Sequence, residues 1–209
     1  MDSMKKRLRT TWLIAFLGLF SLGLEAGPDC FGEDILPDML FPSIRLETSM
    51  GDIVVELNRL RAPATSNNFL HYVLEGQYDG TIFHRVMVDF VVQGGGYSED
   101  LEERDLYPPV INESGNGLKN MPMTIAMARY EDPHSATSQF YFNLSANSSL
   151  DPNAGNWGYT VFGEVISGQD VVSAIAGVET GYNEDLDAPD VPLKPVFILS
   201  ATVLEEPRL

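Results

Sequence analysis

Apolar and polar residues alternate along several short segments of the chain, a pattern typical of β-strands with one buried face. Residues 44–48 and 53–57 alternate in this way on either side of Ser49-Met-Gly-Asp52, and they predict a hairpin with Gly51 in its turn. The same pattern predicts further strands at residues 82–86, 90–93, 124–128, 140–144, 161–165 and 196–204.

The last predicted strand, 196–204, alternates along its whole length. Strict alternation places Ile198 and Ser200 on one face of the sheet and Leu199 and Ala201 on the other. Both faces of this strand then carry apolar side chains.

Two segments have helical spacing instead. Ala62-Pro63 predicts the start of a first helix, because proline suits the first turn, and Gly76 predicts its end. A second helix is predicted at 170–176, before Gly177. The apolar stripe of the first helix consists of Phe69, Leu70, Val73 and Leu74.

Many short strands and only two helices indicate a mainly β protein, either a sandwich or a barrel. Residues 94–123 are rich in Gly, Pro, Asn and acidic residues and predict a long irregular excursion between strands. Irregular segments of this length within one compact domain are usually functional.

The first 26 residues have the pattern of a secretory signal peptide. A basic start (Lys5, Lys6, Arg7 and Arg9) precedes an apolar run at 12–24, and Ala26 provides a small-residue cleavage site. The run is shorter than the roughly 20 residues that a membrane-spanning helix needs. We therefore expect an exported, periplasmic protein with no stable membrane association after cleavage.

The remaining chain is predicted to be one domain with short flanking segments. Residues 27–43 contain three prolines and no clear periodicity, which indicates an N-terminal arm or linker. The ordered domain is expected at 44–205, and 206–209 form a C-terminal tail. Nothing in the sequence indicates an obligate interface, so we expect a monomer.

Composition narrows the possible partners. The 209 residues include 13 Lys and Arg against 30 Asp and Glu, giving a formal net charge of −17 at pH 7. Such a charge opposes binding to nucleic acids and to anionic membrane surfaces. The single cysteine, Cys30, cannot form an internal disulfide, and no Cys/His cluster has the spacing of metal ligands, so no metal is expected.

Three separated stretches carry the most specific sequence information. They are Phe83-His-Arg-Val-Met-Val-Asp-Phe-Val-Val-Gln-Gly-Gly-Gly96, then 124–129 running into 135–143, and finally 150–151 with 157–165. The three glycines in the first stretch fit a turn with positive φ, or a close approach of backbone, better than a phosphate-binding loop. Arg85 is unusual within an apolar strand, although an outward-facing arginine on a half-buried strand is an equally acceptable interpretation from the residues alone.

Together these stretches resemble the cyclophilin family of peptidyl-prolyl cis-trans isomerases, and most closely its exported bacterial members. The resemblance covers residues 44–205, with the motifs in the expected order. It implies a closed eight-stranded antiparallel barrel capped by two α-helices, with the substrate groove on an outer face because side chains fill the interior. It also implies isomerisation of X–Pro bonds in proline-containing polypeptides, with no cofactor.

The resemblance assigns roles to individual residues. Arg85 corresponds to the catalytic arginine of the family, and His84 beside it is expected to support it. The expected substrate-binding residues are Phe90, Val91, Tyr141 and Leu150 in the apolar proline pocket, Gln93, Arg129 and Gln139 along the polar groove, and Tyr159 at its edge.

Two of these positions differ from the common family pattern. Tyr141 stands where phenylalanine is commoner, which adds a hydroxyl that either softens proline packing or makes a new hydrogen bond. Val91 replaces a frequent methionine and shortens that wall of the pocket.

Two functions from different classes are consistent with these features. The first is a foldase that accelerates X–Pro isomerisation in exported proteins. The second is a proline-peptide binding module or chaperone with little turnover. Arg85 favours the enzyme, because a binding module has no need to prefer the twisted peptide bond.

Overall fold

The computed structural model of the protein describes residues 35–36, 38–104 and 107–205. The predicted signal peptide, Cys30, most of the predicted arm and the C-terminal tail lie outside the described residues. Within the described ranges, no helix is long and apolar enough to cross a membrane.

The described residues form a mainly β structure with two α-helices, which confirms the predicted fold class. The helices are α1 (Pro63–Leu74) and α2 (Gln169–Ala176). The strands are β1 (Ser43–Thr48), β2 (Gly51–Leu57), β3 (Thr81–Ile82), β4 (Arg85–Met87), β5 (Val91–Gly94), β6 (Thr124–Met127), β7 (Phe140–Asn143), β8 (Val161–Ser167), β9 (Thr180–Asn183), β10 (Ala188–Pro192) and β11 (Phe197–Val203).

Nine of these strands form one antiparallel sheet in the order β3-β11-β1-β2-β8-β6-β7-β5-β4. Its two outermost strands are consecutive in the chain, because β3 ends at Ile82 and β4 begins at Arg85. Only Phe83 and His84 separate them, and the N–H of Phe83 donates to the carbonyl of Val196 at 2.9 Å. The chain itself thus joins the two edges of the curled sheet. Counted as one interrupted strand, β3 and β4 give the eight strands expected from the sequence.

The inner face of the sheet and both helices enclose the main core. Pro63 occupies the first turn of α1 as predicted, and Phe69 and Leu70 are fully buried. Leu74 was predicted on the same stripe but is exposed at the end of the helix. Fully buried strand residues in this core include Leu46, Ile53, Val55, Val92, Ile125, Phe140, Phe142 and Phe162.

An irregularity in β11 changes which of its residues are buried. Thr48 pairs with Ile198 and Glu47 pairs with Ser200, so Leu199 is an extra residue between two register positions. Ile198 and Ala201 are both buried while Leu199 is half exposed. The predicted strict alternation is therefore wrong beyond Ile198, because a bulge shifts every following side chain to the other face.

The small sheet formed by β9 and β10 was not predicted from the sequence. These strands pair antiparallel, and β10 packs against β4. Asp187 and Asp190 have positive φ, and β10 ends at Pro192. Residues of these types are rare in strands, so propensity alone predicts a loop here.

The excursion between β5 and β6 is irregular, as predicted, apart from a single 3-10 turn at Ser114–Asn116 among its described residues. It contacts the barrel through polar side chains. The amide of Asn116 donates to the carbonyl of Val161 at 2.9 Å, and the carboxylate of Glu113 lies at the start of α1.

Candidate active site

A row of aligned residues crosses the outer face of β4, β5, β7 and β6. Arg85 pairs with Gln93, Gln93 pairs with Tyr141, and Tyr141 pairs with Ala126. Alternation along each strand sends the neighbours of these residues, such as Val92, into the core. The register of three strand pairs thus places a cationic side chain and an amide beside an aromatic ring.

A second, smaller apolar cluster lies around this row. Val91 and Tyr141 are almost fully buried within it, at 2% and 4% exposure. The ring centroids of Tyr141 and Tyr159 are 6.0 Å apart in an edge-to-face arrangement. The other members are Ala126, Val161, Phe90, Leu118, Ala128 and Leu150. The structure therefore brings together all five apolar or aromatic residues predicted for the groove, and adds four small or aliphatic ones that the sequence did not single out.

Three of the predicted polar side chains, Arg85, Gln93 and Gln139, form a continuous chain of hydrogen bonds, which Arg129 does not join. Nη1 of Arg85 donates to Oε1 of Gln93 at 3.3 Å, and Nε2 of Gln93 donates to Oε1 of Gln139 at 2.9 Å. Nη2 of Arg85 also lies 2.8 Å from the sulfur of Met87, two residues along the same strand. The half-buried guanidinium is held on one side and keeps part of its surface open to the groove.

Arg129 has a different environment from Arg85. Its guanidinium donates to the carbonyl oxygens of Tyr130, Trp157 and Gly158, and it lies 4.6 Å from the ring centroid of Tyr159. These contacts tie the loop after β6 to the loop before β8. Arg129 therefore positions the Tyr159 ring at the groove edge, and few of its N–H groups remain for a ligand.

His84 is enclosed behind the groove. It is 6% exposed, and its ring contacts that of Tyr97 with centroids 4.8 Å apart. Burial and, secondly, the charge of Arg85 lower the pKa of His84 to about 4. The imidazole is consequently neutral at pH 7, which agrees with a supporting rather than a proton-transfer role.

The three consecutive glycines after β5 permit close packing beneath the groove. Gly95 has a φ of +82°, and Gly94 lies against the ring of Phe83, where a Cβ would approach to 2.7 Å. A Cβ at Gly96 would lie 2.5 Å from the side chain of Gln139. Both sequence-based interpretations are confirmed: Gly95 has a positive φ, and the backbone at Gly94 and Gly96 closely approaches neighbouring side chains.

The hydroxyl of Tyr141 points away from the groove. It donates to Oδ1 of Asn120 at 2.8 Å, so the extra hydroxyl makes a new hydrogen bond. Burial raises the pKa of Tyr141 well above its usual value, and the phenol remains a donor. Asn120 is 2% exposed, and the sequence did not predict it as a site residue, because it lies in the irregular excursion and only the fold brings it to Tyr141.

No group of three or more His, Cys, Asp or Glu among the described residues is arranged to hold a metal ion. Arg85, Gln93 and Gln139 contribute one guanidinium and two amides beside the apolar cluster.

Comparison with known proteins shows the family of this chain. The sequence model of the family described as cyclophilin type peptidyl-prolyl cis-trans isomerase/CLD matches residues 43–203. The chain is 52% identical over 167 residues to a peptidyl-prolyl cis-trans isomerase of Streptomyces antibioticus, covering 78% of this chain and 98% of that protein. It is 45% identical over 165 residues to peptidyl-prolyl cis-trans isomerase B of Escherichia coli, covering 78% and 99%.

A solved structure has the same fold. A cyclophilin-type isomerase of Cryptosporidium parvum superposes with a TM-score of 0.65 at 24% identity, covering 80% of this chain and 99% of the other. At that identity the likeness concerns the fold alone.

The curled antiparallel sheet with two helices and the family match over residues 43–203 together define the class of this protein. The chain belongs to the cyclophilin-type peptidyl-prolyl cis-trans isomerases. It is an enzyme of class EC 5.2.1.8, and proline-containing peptides are its substrates.

Proposed function

We propose that the protein isomerises X–Pro bonds in exported proteins while they fold, with Arg85 as the catalytic residue. The observation that carries the proposal is the position of the Arg85 guanidinium, aligned through Gln93 with the apolar cluster around Tyr141.

The reaction needs no bond cleavage. Rotation about a peptide bond meets a barrier of about 18–20 kcal/mol because the C–N bond has partial double-bond character. When the bond twists, the prolyl nitrogen regains its lone pair, and a donor placed there stabilises the twisted state more than either planar isomer. Arg85 suits this role because its charge persists at all physiological pH values and its planar group offers several donors.

The apolar cluster provides the other half of the mechanism. Phe90, Val91, Tyr141 and Leu150 hold the proline ring while the residue before it rotates. Gln93 orients Arg85 through the 3.3 Å hydrogen bond, and Gln139 fixes the Gln93 amide at 2.9 Å. Tyr159 closes the groove edge, and Arg129 holds Tyr159 in place.

The proposed setting is outside the cytoplasm. Its support is the sequence of residues 1–26, with basic residues, an apolar run and a small-residue exit. Expression of the full chain in a Gram-negative bacterium, followed by fractionation and N-terminal sequencing, tests it. A periplasmic product beginning near residue 27 is expected, and a cytoplasmic product retaining Met1 would refute export.

The rate of cis-to-trans conversion in a short X–Pro peptide tests the catalytic assignment. We expect Arg85→Ala to lose about 100-fold or more in kcat/KM, as is usual when a transition-state donor is removed. Arg45→Ala is the matched control, because Arg45 lies on β1 with its side chain half exposed. Unchanged turnover in a folded Arg85→Ala variant would remove Arg85 from the mechanism. Peptide binding by the wild type without acceleration would favour the weakly catalytic binding module.

A further inference from the structure

Asn120 is a buried junction of hydrogen bonds directly behind the groove. Its Oδ1 accepts from the hydroxyl of Tyr141 at 2.8 Å and from Nδ2 of Asn143 at 3.2 Å. Its backbone N–H and its Nδ2 both donate to Oδ1 of Asp151, at 2.9 and 3.0 Å. Its carbonyl accepts from the N–H of Asn147 at 2.8 Å. One side chain from the irregular excursion thus contacts β7 and the loop that follows it.

Together these bonds lead to three walls of the apolar pocket. Tyr141 is itself a wall. Asp151 follows Leu150, which belongs to the same cluster and whose carbonyl accepts from the N–H of Tyr159 at 2.9 Å. The third wall, Phe90, is reached through Asn147.

The link to Phe90 runs through the turn that carries this residue. Nδ2 of Asn147 donates to the carbonyl of Phe90 at 2.9 Å and to Oδ1 of Asn143 at 2.7 Å. The hydroxyl of Ser145 donates to the carbonyl of Asp89 at 2.7 Å, and Asp89 has a φ of +60°. The turn before β5 is therefore held by the same loop that holds Asn120.

The charge of Asp151 suits this arrangement. Burial alone would raise the pKa of the Asp151 carboxyl, but the hydrogen bonds from Asn120 and the nearby Lys119 ammonium outweigh it and hold the pKa below its usual value. The ammonium of Lys119 lies 3.6 Å from Oδ2 of Asp151. Asp151 is therefore an acceptor at neutral pH, and the amide of Asn120 has one permitted orientation, with Nδ2 toward Asp151 and Oδ1 toward Tyr141.

We propose that Asn120 is a positioning residue for the proline pocket. Its side chain holds the Tyr141 and Leu150 walls through the contacts with Tyr141 and Asp151, and its carbonyl holds the Phe90 wall through Asn147. The inference rests on the proposed function, because it assumes that this cluster receives the proline ring. Asn120 acts through these walls and does not touch the peptide bond. Its removal therefore weakens proline binding more than it slows rotation.

An exchange of the two side chains tests this role. Asn120→Asp sets a second carboxylate against Asp151 while keeping the size of the side chain, and we expect KM for an X–Pro peptide to rise about tenfold with a smaller change in kcat. Asp151→Asn alone is the milder single change, and a rise in KM is expected there too. The double variant N120D/D151N restores one amide and one carboxylate in reversed order, and we expect it to recover most of the wild-type KM.

The controls separate this inference from the proposed function. Asn183→Asp is the matched control, because the Asn183 side chain accepts a hydrogen bond from the N–H of Leu186 and an aspartate can do the same. Urea unfolding of every variant shows which proteins are folded. If Asn120→Asp does not fold, the comparison of D151N with the double variant still gives the answer.

Two results would overturn the positioning role: an unchanged KM in both single variants, or a double variant no better than the worse single one. Failure of the catalytic assignment has a different signature, because Arg85→Ala would then retain its kcat whatever the exchange shows.

Discussion

The carboxylate of Glu113 caps helix α1 by accepting hydrogen bonds from the backbone N–H and the hydroxyl of Thr65, 48 residues earlier in the chain. The two distances are 2.8 and 2.7 Å, and the N–H of Ala64 donates to the other carboxylate oxygen at 3.2 Å. The N-cap residue of α1 is Ala62, which has no side chain able to cap. The excursion that carries Glu113 thus supplies the N-terminal cap of helix α1.

Loss of this carboxylate is predicted to destabilise the fold. Glu113→Ala leaves two helical N–H groups without their acceptor and removes a negative charge from the positive end of the helix dipole. We expect the free energy of unfolding to fall by about 1–2 kcal/mol, measured by urea titration. Glu131→Ala is the control, since Glu131 is exposed, and equal effects of the two changes would contradict the capping role.

Gly168 is predicted to be irreplaceable at the start of α2. It has a φ of +85°, and a Cβ there would overlap the carbonyl oxygen of Asp52. Gly168→Ala should therefore cost more than the roughly 1 kcal/mol of left-handed strain alone. Gly115→Ala provides the comparison, because a Cβ at Gly115 would meet nothing within 4 Å. Similar midpoints of thermal unfolding for the two variants would show that the β2 backbone can move aside.

Because His84 is buried and its pKa is lowered, the protein is predicted to lose stability in mild acid. The pKa of His84 is about 4 in the folded state and about 6.5 when unfolded, so between these values the unfolded chain binds a proton that the folded chain does not. The free energy of unfolding should fall as the pH drops from 6.5 to 4, by up to about 3 kcal/mol from this residue, and the contribution of His84 should stay constant above pH 6.5.

Comparison of the wild type with His84→Gln over this pH range isolates the contribution of His84. The variant should lose the part of the pH dependence that the buried imidazole causes, while His71→Gln, at a partly exposed position, keeps it. Parallel curves for the wild type and His84→Gln would show that His84 charges freely in the folded protein.

Tyr141→Phe measures what the hydroxyl of Tyr141 contributes to the free energy of unfolding. The ring stays in the pocket, and Oδ1 of Asn120 keeps the hydrogen bond from Asn143, so only the 2.8 Å bond is lost. We expect a loss of about 0.5–1.5 kcal/mol in the free energy of unfolding. A higher free energy of unfolding in the variant would mean that the buried hydroxyl destabilises the native protein.

The sequence predicted those elements whose residue pattern and physical environment agree. Alternation located every strand of the large sheet, and Pro63 and Gly177 marked helix ends, because local propensity and burial favour the same structure there. It could not predict the bulge at Leu199, since the register depends on the partner strand β1. Nor could it predict β9 and β10, whose pairing outweighs a sequence typical of loops.

The residues of the candidate site likewise divide into those whose grouping the sequence predicted and those it could not predict. Arg85, Val91, Gln93 and Tyr141 lie on strands, so their grouping follows from the register of β4, β5 and β7. The other predicted groove residues lie in turns and loops beside the strands. Asn120 lies in the irregular excursion, and only the folded chain brings it to Tyr141 and Asp151. The contact of the Arg129 guanidinium with the carbonyl of Trp157 likewise joins loops that are distant in sequence.

The joining of β3 to β4 through Phe83 and His84 has a consequence for the way in which peptides can bind. Extended polypeptides readily add as a further strand to any sheet that presents a free row of backbone donors and acceptors. Because the outer strands of the nine-stranded sheet are consecutive in the chain, this sheet has little free edge to which a client could pair. A proline-containing peptide is therefore not expected to bind by adding a strand to this sheet.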